Sequence, residues 1–498
     1  MAGNAVDKAA IEITSKGFTK VGTLVIGAGL VGLVTAVPFA QRNSKVDKST
    51  VVVEQGAHGT YRAQTPSQGS IRGSRVAQQT PELTRDIRAT SDFIDYLEAK
   101  HGLPISKRAT DKTPYLMLVK DPTHLAEMLA DLRQKGSPHR VYTLEEAARE
   151  FGLNFPSGYA GVVNTLESRV LNIDNYIEAM GRELKDNRGS IRYEATIAKY
   201  GKLAGGPHLI ELSDGSRYAA DDLVVATGTG INRTLRTLYK LHANAHHSTS
   251  YWVSSKRGFG IDWELFARER DVPTRFLNKK RARIRQRTIH ILFKDPKIVP
   301  RTVYNLDIDH EFKLDDGTTE QLTGHLGFYM FPEEFRDRNG KMRMGLKVGY
   351  DPMKCTSRNP HVLKRQEELM LDHISELYGV DRNGIEIMER HDCAYPIDVI
   401  GHPCMGRSLF HKIIIAAHFI GYGAMAAYGA AVRMLNGGME PDSPYQPDIK
   451  PTLLNTAVFN SYEHGHSVDG KGGPMGRVLP TPPSAGLRYA ICFKKNDV

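Results

Sequence analysis

Residues 23 to 32 read Thr-Leu-Val-Ile-Gly-Ala-Gly-Leu-Val-Gly, a short apolar run broken by three spaced glycines. A second apolar run, Val51-Val52-Val53, ends in Glu54, 22 residues after the last of those glycines. Few arrangements constrain a fold as tightly. Gly27 permits the sharp strand-to-helix turn, Gly29 lets the backbone approach a pyrophosphate, and Gly32 lets the helix pack close on the strand. The helix N-terminus then faces the phosphates with its unpaired N–H groups. A carboxylate at Glu54 suits a ribose hydroxyl pair. The segment is expected to open a βαβ unit that binds a dinucleotide.

With 498 residues, 40% of them hydrophobic, the chain can form two domains or more around sizeable cores. It contains no apolar stretch of membrane-spanning length. Met1 to Lys20 lacks the apolar core of a secretory signal. The final residues, Lys494-Lys495-Asn496-Asp497-Val498, are not a peroxisomal tripeptide. Four cysteines, Cys355, Cys393, Cys404 and Cys492, are too sparse for a disulfide framework. These features lead to the expectation of a cytoplasmic, monomeric enzyme without a membrane partner or a metal site. The net charge of +10 is local: seven basic residues and no acid lie between Arg275 and Arg287. That run lacks the interleaved aromatic platform on which single strands stack, so it reads as a solvated strand or loop and not as a nucleic-acid site.

Leu83, Ile87, Ile94 and Leu97 share one face of a helix that Gly102 ends. Tyr115 to Val119 reads as a strand, Leu125 to Leu132 as helix, and Thr143-Leu144-Glu145-Glu146 as an N-cap opening a helix to Phe151. Arg192 to Tyr200 and His208 to Leu212 read as strands, and Asp214-Gly215 as a hairpin turn into Arg217 and Tyr218. Leu223 to Gly228 then rises as a buried strand. A meander returning to the first sheet is what a flavin-binding Rossmann domain adds to the simple nicotinamide version. Ile289 to Phe293, Val303 to Ile308 and Met344 to Gly349 read as parts of an antiparallel sheet. Lys412 to Ala417 is a late buried strand, followed by a glycine-broken turn and a helix from Ala424 to Leu435.

The expected fold is therefore α/β plus antiparallel β. A discontinuous FAD-binding Rossmann-type domain is joined to a substrate domain built on a mixed or antiparallel sheet. Residues 1–21 form an N-terminal extension; 22–110, 166–241 and 390–438 contribute to the FAD-binding domain. Residues 111–165 and 242–389 contribute to the substrate domain, and 439–498, rich in proline and glycine, form an extended tail.

Several motifs occur in one order along residues 22 to 437. They are the fingerprint at Gly27, Ser67-x-Gly-x-x-Arg-x-x-Arg75, Leu166-Glu-Ser-Arg-Val-Leu171, Ala226-Thr-Gly228, Tyr329-Met-Phe-Pro332, Gly345-Leu-Lys-Val-Gly-Tyr350 and Cys393-Ala-Tyr395, then the strand to Ala417. The set resembles the monomeric sarcosine oxidase family of flavoenzymes, which includes N-methyltryptophan oxidase, pipecolate oxidase and the fungal amadoriases (fructosyl amino acid oxidases). Extra residues between about 242 and 325 bring the chain closer to the fungal branch. The resemblance implies an FAD oxidase that converts the C–N bond of a secondary amine to an imine, with oxygen reduced to hydrogen peroxide.

The resemblance also implies residue roles. Cys393 matches the cysteine that joins the flavin 8-methyl carbon through a thioether, with Cys404 as rival. Lys347 matches the lysine that activates oxygen; alternation with Leu346 and Val348 leaves open whether it faces the core or solvent. Arg72 and Arg75 match a pair near the flavin, with Arg75 on the substrate carboxylate, to which a guanidinium offers a two-pronged donor set. Tyr329 matches an active-site tyrosine, and Gly421 and Gly423 lie in the cofactor turn after the last strand. Three positions depart from the pattern. A second carboxylate-binding lysine is Met425 here, and two histidines are Asp351 and Gln68. These changes point to a bulky or aromatic N-methyl amino acid instead of sarcosine. A fumisoquin-type cyclising oxidase of secondary metabolism is one form of that reading. An amadoriase, a pipecolate or saccharopine oxidase, and a non-catalytic flavoprotein scaffold remain as alternatives.

Overall fold

The computed structural model describes residues 17–58, 71–74, 81–202, 206–228, 234, 237–238, 284–305, 308–313, 319–324, 328–337, 339–350, 360–395, 404–407, 413–417 and 423–436. The expected tail and the basic run up to Arg283 lie outside them.

The first layer grows from the fingerprint. β1 (Thr19–Ile26) leads into α1 (Leu30–Ser44), and β2 (Thr50–Val53) returns beside β1 in parallel. All four side chains of β2 are buried, as a parallel strand covered on both faces requires. After α5 (Ile173–Asp186), β9 (Gly189–Arg192) adds in parallel to β2. β10 (Ile197–Lys202), β11 (His208–Leu212) and β12 (Arg217–Val225) form the meander. Gly215, at φ +83°, makes the hairpin turn between β11 and β12. β12 lies parallel to β1 along its whole length. Its other edge serves two partners: Arg217–Ala220 pairs with β11, while Val224 and Val225 pair with the late strand β21 (Ile414–Ala417). β20 (Cys404–Arg407) extends this edge antiparallel to β21.

Two sequence expectations need correction here. The stretch from Arg192 to Tyr200 divides between two strands at opposite edges of the first sheet: Arg192 ends β9 beside β2, Ile197 opens β10 beside β11, and the connection between them passes Glu194, a non-glycine residue at φ +56°. Val303 to Ile308 likewise divides between β14 (Thr302–Asn305) and β15 (Ile308–Lys313), which belong to different sheets. Among the described residues β15 pairs only with β16 (Thr319–Gly324), in a two-stranded sheet.

The second layer is an eight-stranded sheet. In spatial order its strands are β19 (Ile385–Tyr395), β13 (Ile284–Phe293), β18 (Met342–Tyr350), β17 (Phe328–Arg336), β14, β5 (Tyr115–Val119), β7 (Gly161–Thr165) and β6 (His139–Tyr142). All neighbours are antiparallel except β14 and β5, so the sheet is mixed. β19 pairs with β13 as far as Tyr395, with a shift of register between His290 and Ile291. One face is covered by α6 (Pro360–Tyr378) and α4 (Leu144–Phe151). Leu346, Val348, Ile289, Ile291, Val303 and Met330 point into that core with Met370, Ile374 and Leu377. α4 starts at a full capping box between Thr143 and Glu146 and stops at Gly152, at φ +68°.

Three further helices complete the described architecture: α2 (Pro81–His101), α3 (Pro122–Gln134) and α7 (Gly423–Leu435). α7 lies against α1 and α2. Its buried Ala426, Ala427, Ala430 and Ala431 permit close approach, Tyr428 stacks on Phe93 at 3.8 Å, and Arg433 pairs with buried Asp86 at 2.6 Å. A small three-stranded sheet, β3 (Ile71–Ser74), β8 (Arg169–Asn172) and β4 (Ser106–Arg108), links the two large layers. No helix among the described residues is long and apolar enough to cross a membrane.

Candidate active site

The nucleotide end of the site is built at the C-terminal edge of β1. Gly27 adopts φ +102°, a conformation strained for any L side chain, and its Cβ would also press on Ala226 O from the end of β12. A Cβ at Gly32 would fall well inside contact distance of Gly27 O. This is the close helix–strand approach that the third glycine was expected to serve. Gly29 is the N-cap of α1 with no side-chain cap, and the first turn of α1 carries no acid. Its opening N–H groups and positive dipole end are therefore offered to an anion. Glu54 lies just past β2 and folds its carboxylate over the loop. Oε2 accepts from Ala28 N at 2.9 Å and Oε1 from Gly56 N at 3.0 Å. Each oxygen still has a lone pair for a hydroxyl donor.

The chemical end lies on the face of the second sheet turned away from α6. Alternation at period two puts Lys347 opposite the face of Leu346 and Val348, which settles the choice that sequence left open. Lys347 is only 3% exposed, and its Nζ donates to Ile71 O of β3 at 3.1 Å. Burying an ammonium is costly, so the fold holds this charge in place through polar partners. Opposite it across the ladder stand Phe331 on β17 and His290 on β13. Tyr329, also expected at the site, is half-buried two residues from Phe331 and packs with it at 5.3 Å. Tyr304 of β14 joins at 5.8 Å from Tyr329 and 5.6 Å from Tyr115. A ring-lined wall thus runs from β5 to β17, ending at Lys347.

The glycines of Gly-Leu-Lys-Val-Gly acquire a reason. A Cβ at Gly349 would occupy the ring of Tyr329, so its absence lets that ring lie across β18. Gly73 of β3 does the same on the facing element, where a Cβ would overlap the Phe331 ring and approach the Tyr115 hydroxyl to 2.8 Å. β3 can therefore settle onto the aromatic wall. This contact brings Arg72 near the site; its Nη1 donates to Ile71 O at 2.8 Å, the same carbonyl that Lys347 uses.

Other expected residues are placed less fully. Gln68, Arg75, Asp351 and Gly421 lie outside the described residues. Cys393 lies on β19 opposite Gln286 of β13, Cys404 opens β20, Gly423 is the first residue of α7 and Met425 follows within it. The side chains of Cys393, Cys404 and Met425 are not among those described.

Sequence reasoning missed a buried histidine–carboxylate pair beside Lys347. His290 Nδ1 lies 2.8 Å from Glu333 Oε2, with both residues under 5% exposed. Burial pushes the His290 imidazole below its ordinary pKa, the Glu333 carboxylate opposes this, and the charge of Lys347 adds to the depression. The signal was present in part. Tyr329, Phe331 and Glu333 alternate along β17, so Glu333 had to share the face of Tyr329.

The sequence model of the family described as FAD dependent oxidoreductase matches residues 23–435, from β1 to the end of α7. The chain belongs to the FAD dependent oxidoreductase family. Solved structures similar to it include L-proline dehydrogenase from P. horikoshii (TM-score 0.58, 14% identity, 86% of this chain and 97% of that one covered). NikD, an unusual amino acid oxidase essential for nikkomycin biosynthesis, gives a TM-score of 0.58 at 14% identity, with 86% and 98% covered. Glycine oxidase from Geobacillus kaustophilus gives 0.54 at 12%, with 86% and 98% covered. At such identities the likeness establishes the shared fold. No curated protein sequence matches this chain. The family's cofactor fits the residues present: Gly27 and Gly32 let the loop, β12 and α1 come together where a Cβ would collide with backbone, α1 offers uncapped N–H groups to a diphosphate, and Glu54 reaches over the same loop.

Proposed function

We propose that the protein is an FAD-dependent oxidase of secondary amines, acting on N-methyl or otherwise N-substituted amino acids with a bulky or aromatic side chain. It would belong to the sarcosine oxidase and amadoriase branch of its family. The observation that carries this reading is the buried ammonium of Lys347 at the end of an aromatic wall, on the element that meets β3. When bound, FAD supplies the two-electron acceptor for the amine and passes the electrons to oxygen, giving an imine and hydrogen peroxide.

In this reading the half-buried Tyr329 and Tyr304 offer an apolar surface for the substrate side chain, backed by the buried Phe331, and Arg75 receives its carboxylate. Met425 replaces a second cation with apolar contact, stabilising by about 25 cal/mol per Å² buried. Asp351 and Gln68, where the resemblance has histidines, would bring carboxylate and amide groups to the substrate in place of imidazoles. Lys347 holds positive charge where negative charge develops on oxygen, an effect specific to that step. The imine can close a ring with a nearby aromatic carbon of the substrate, the cyclising form of the reaction.

Peroxide release across a substrate panel tests the specificity. An N-methylated aromatic amino acid is expected to exceed sarcosine in kcat/KM by about tenfold or more, since 1.4 kcal/mol of added apolar contact gives that factor. Its decarboxylated amine is expected to be poor, and Arg75→Met to remove most of the difference between acid and amine. Equal turnover of acid and amine by the wild type would rule out the Arg75 anchor. Fructosyl-valine or fructosyl-lysine as best substrate would make the protein an amadoriase instead.

We also propose a thioether from Cys393 to the flavin. Mass spectrometry of the wild type is expected to show a flavin adduct on the peptide containing residue 393, absent in Cys393→Ala. An adduct that survives in Cys393→Ala would move the link to Cys404 or elsewhere.

A further inference from the structure

We propose that His290, Glu389 and His391 form a binding site for a divalent transition-metal cation of the zinc class, with Glu333 orienting His290 from behind. No metal site was expected from the sequence, and this one does not depend on the amine oxidase reading. The three residues come from two adjacent strands. Glu389 and His391 alternate on β19 and so share a face, and Glu389 stands directly opposite His290 in the β13–β19 ladder. A ligand atom from each of the three lies within 4.8 Å of the others. A zinc ion with bonds of about 2.0–2.2 Å holds neighbouring donors roughly 3.5 Å apart, so small side-chain rotations close the set round a cation.

The second observation concerns His290 itself. It is 2% exposed, its Nδ1 lies 2.8 Å from Glu333 Oε2 without a well-formed hydrogen bond, and its Nε2 has no hydrogen-bond partner among the described residues. A buried imidazole nitrogen without a partner is costly to maintain, and a metal bond is one way to satisfy it. The carboxylate stands behind the other nitrogen, where a small turn of the ring would give the carboxylate–histidine–metal arrangement that fixes the tautomer and ring plane of metal ligands. Glu333 stands opposite Gly345 on β18 and His290 opposite Lys347, so the two meet diagonally across that strand. The His391 ring lies 4.6 Å from that of His290 at 63°, and His391 Nε2 is already 2.8 Å from Glu389 Oε2.

Charge and donor type set the class of ion. Two imidazoles and one carboxylate favour zinc and its neighbours over calcium or magnesium, which take oxygen donors. Glu389 and Glu333 together supply two negative charges, offsetting the nearby Lys347. The other histidine–carboxylate group differs: around His101, Glu183 and Asp186, Lys100 Nζ already bridges the two carboxylates at 2.6 and 2.8 Å. That cluster contains its own cation.

Equilibrium dialysis of the tag-free full-length holoprotein against ZnCl2, with CaCl2 in parallel, tests the site. The wild type is expected to retain about one zinc more per chain than His391→Ala or Glu389→Gln, both altered at sites outside the core. Calcium is expected to show no such difference. Glu333→Asp, which shortens the support without removing its charge, is expected to weaken zinc binding by about tenfold or more. Equal zinc content in the wild type and both ligand variants overturns the proposal, and so does a calcium difference as large as that for zinc.

Discussion

Lys347→Met is expected to slow reoxidation of the reduced flavin by oxygen about a hundredfold or more, while reduction by the amine changes by less than about tenfold. The asymmetry follows from where charge develops. Reduction by the amine places no charge on oxygen, whereas in reoxidation oxygen itself becomes negative as it accepts the electrons. The ammonium is 3% exposed and held by Ile71 O, so it is oriented before the reaction and needs little reorganisation. Methionine has similar length and fills the same space, which separates loss of charge from loss of packing. Stopped-flow traces of the two half-reactions read the effects independently. Equal slowing of both would make Lys347 a substrate ligand or a structural cation, and the oxygen role would move elsewhere.

Gly32→Ala is expected to yield a protein purified without flavin and destabilised by about 3 kcal/mol or more. The added methyl would be driven into Gly27 O, a backbone atom that cannot rotate away. Moving it displaces α1 from β1, which widens the cradle at the helix N-terminus and shifts Ala28 N away from Glu54. The control is Gly181→Ala, in α5, where a Cβ would meet nothing within 4 Å. That variant is expected to keep its flavin and gain about 0.5–1 kcal/mol, the ordinary helix preference for alanine. Flavin absorbance per protein and thermal melting measure both. Full flavin content in Gly32→Ala would mean that the helix–strand approach is not what forms the cofactor site.

These two residues mark what sequence could reveal and what it could not. Gly27, Gly32 and Glu54 were legible because their roles are local: a turn, a helix–strand approach and a carboxylate one strand away lie within thirty-odd residues. Lys347 was found as part of a motif, but the strand Leu346-Lys347-Val348 is symmetrical as a pattern. Only the position of α6 on one side of the sheet decides which face is which. The Glu333–His290 pair was invisible because it spans β18, and cross-strand neighbours follow from register, which no local pattern states. The merged strand at Arg192 to Tyr200 failed for the opposite reason. The break between its two strands carries Glu194 at positive φ, without the glycine or proline that announces most interruptions. The C-terminal return of β21 to β12 was legible as a buried apolar run, since a strand covered on both faces needs no alternation.

The claim that this fold is an oxidase of N-substituted amino acids is tested most directly on the wild-type protein, by following its flavin spectrum under anaerobic conditions. Addition of an N-methylated aromatic amino acid is predicted to bleach the oxidised flavin band completely. Admission of air should then restore it with release of one equivalent of hydrogen peroxide. A flavin that stays oxidised with N-methyl, fructosyl and cyclic imino acids alike, or a purified protein that carries no flavin, contradicts the account.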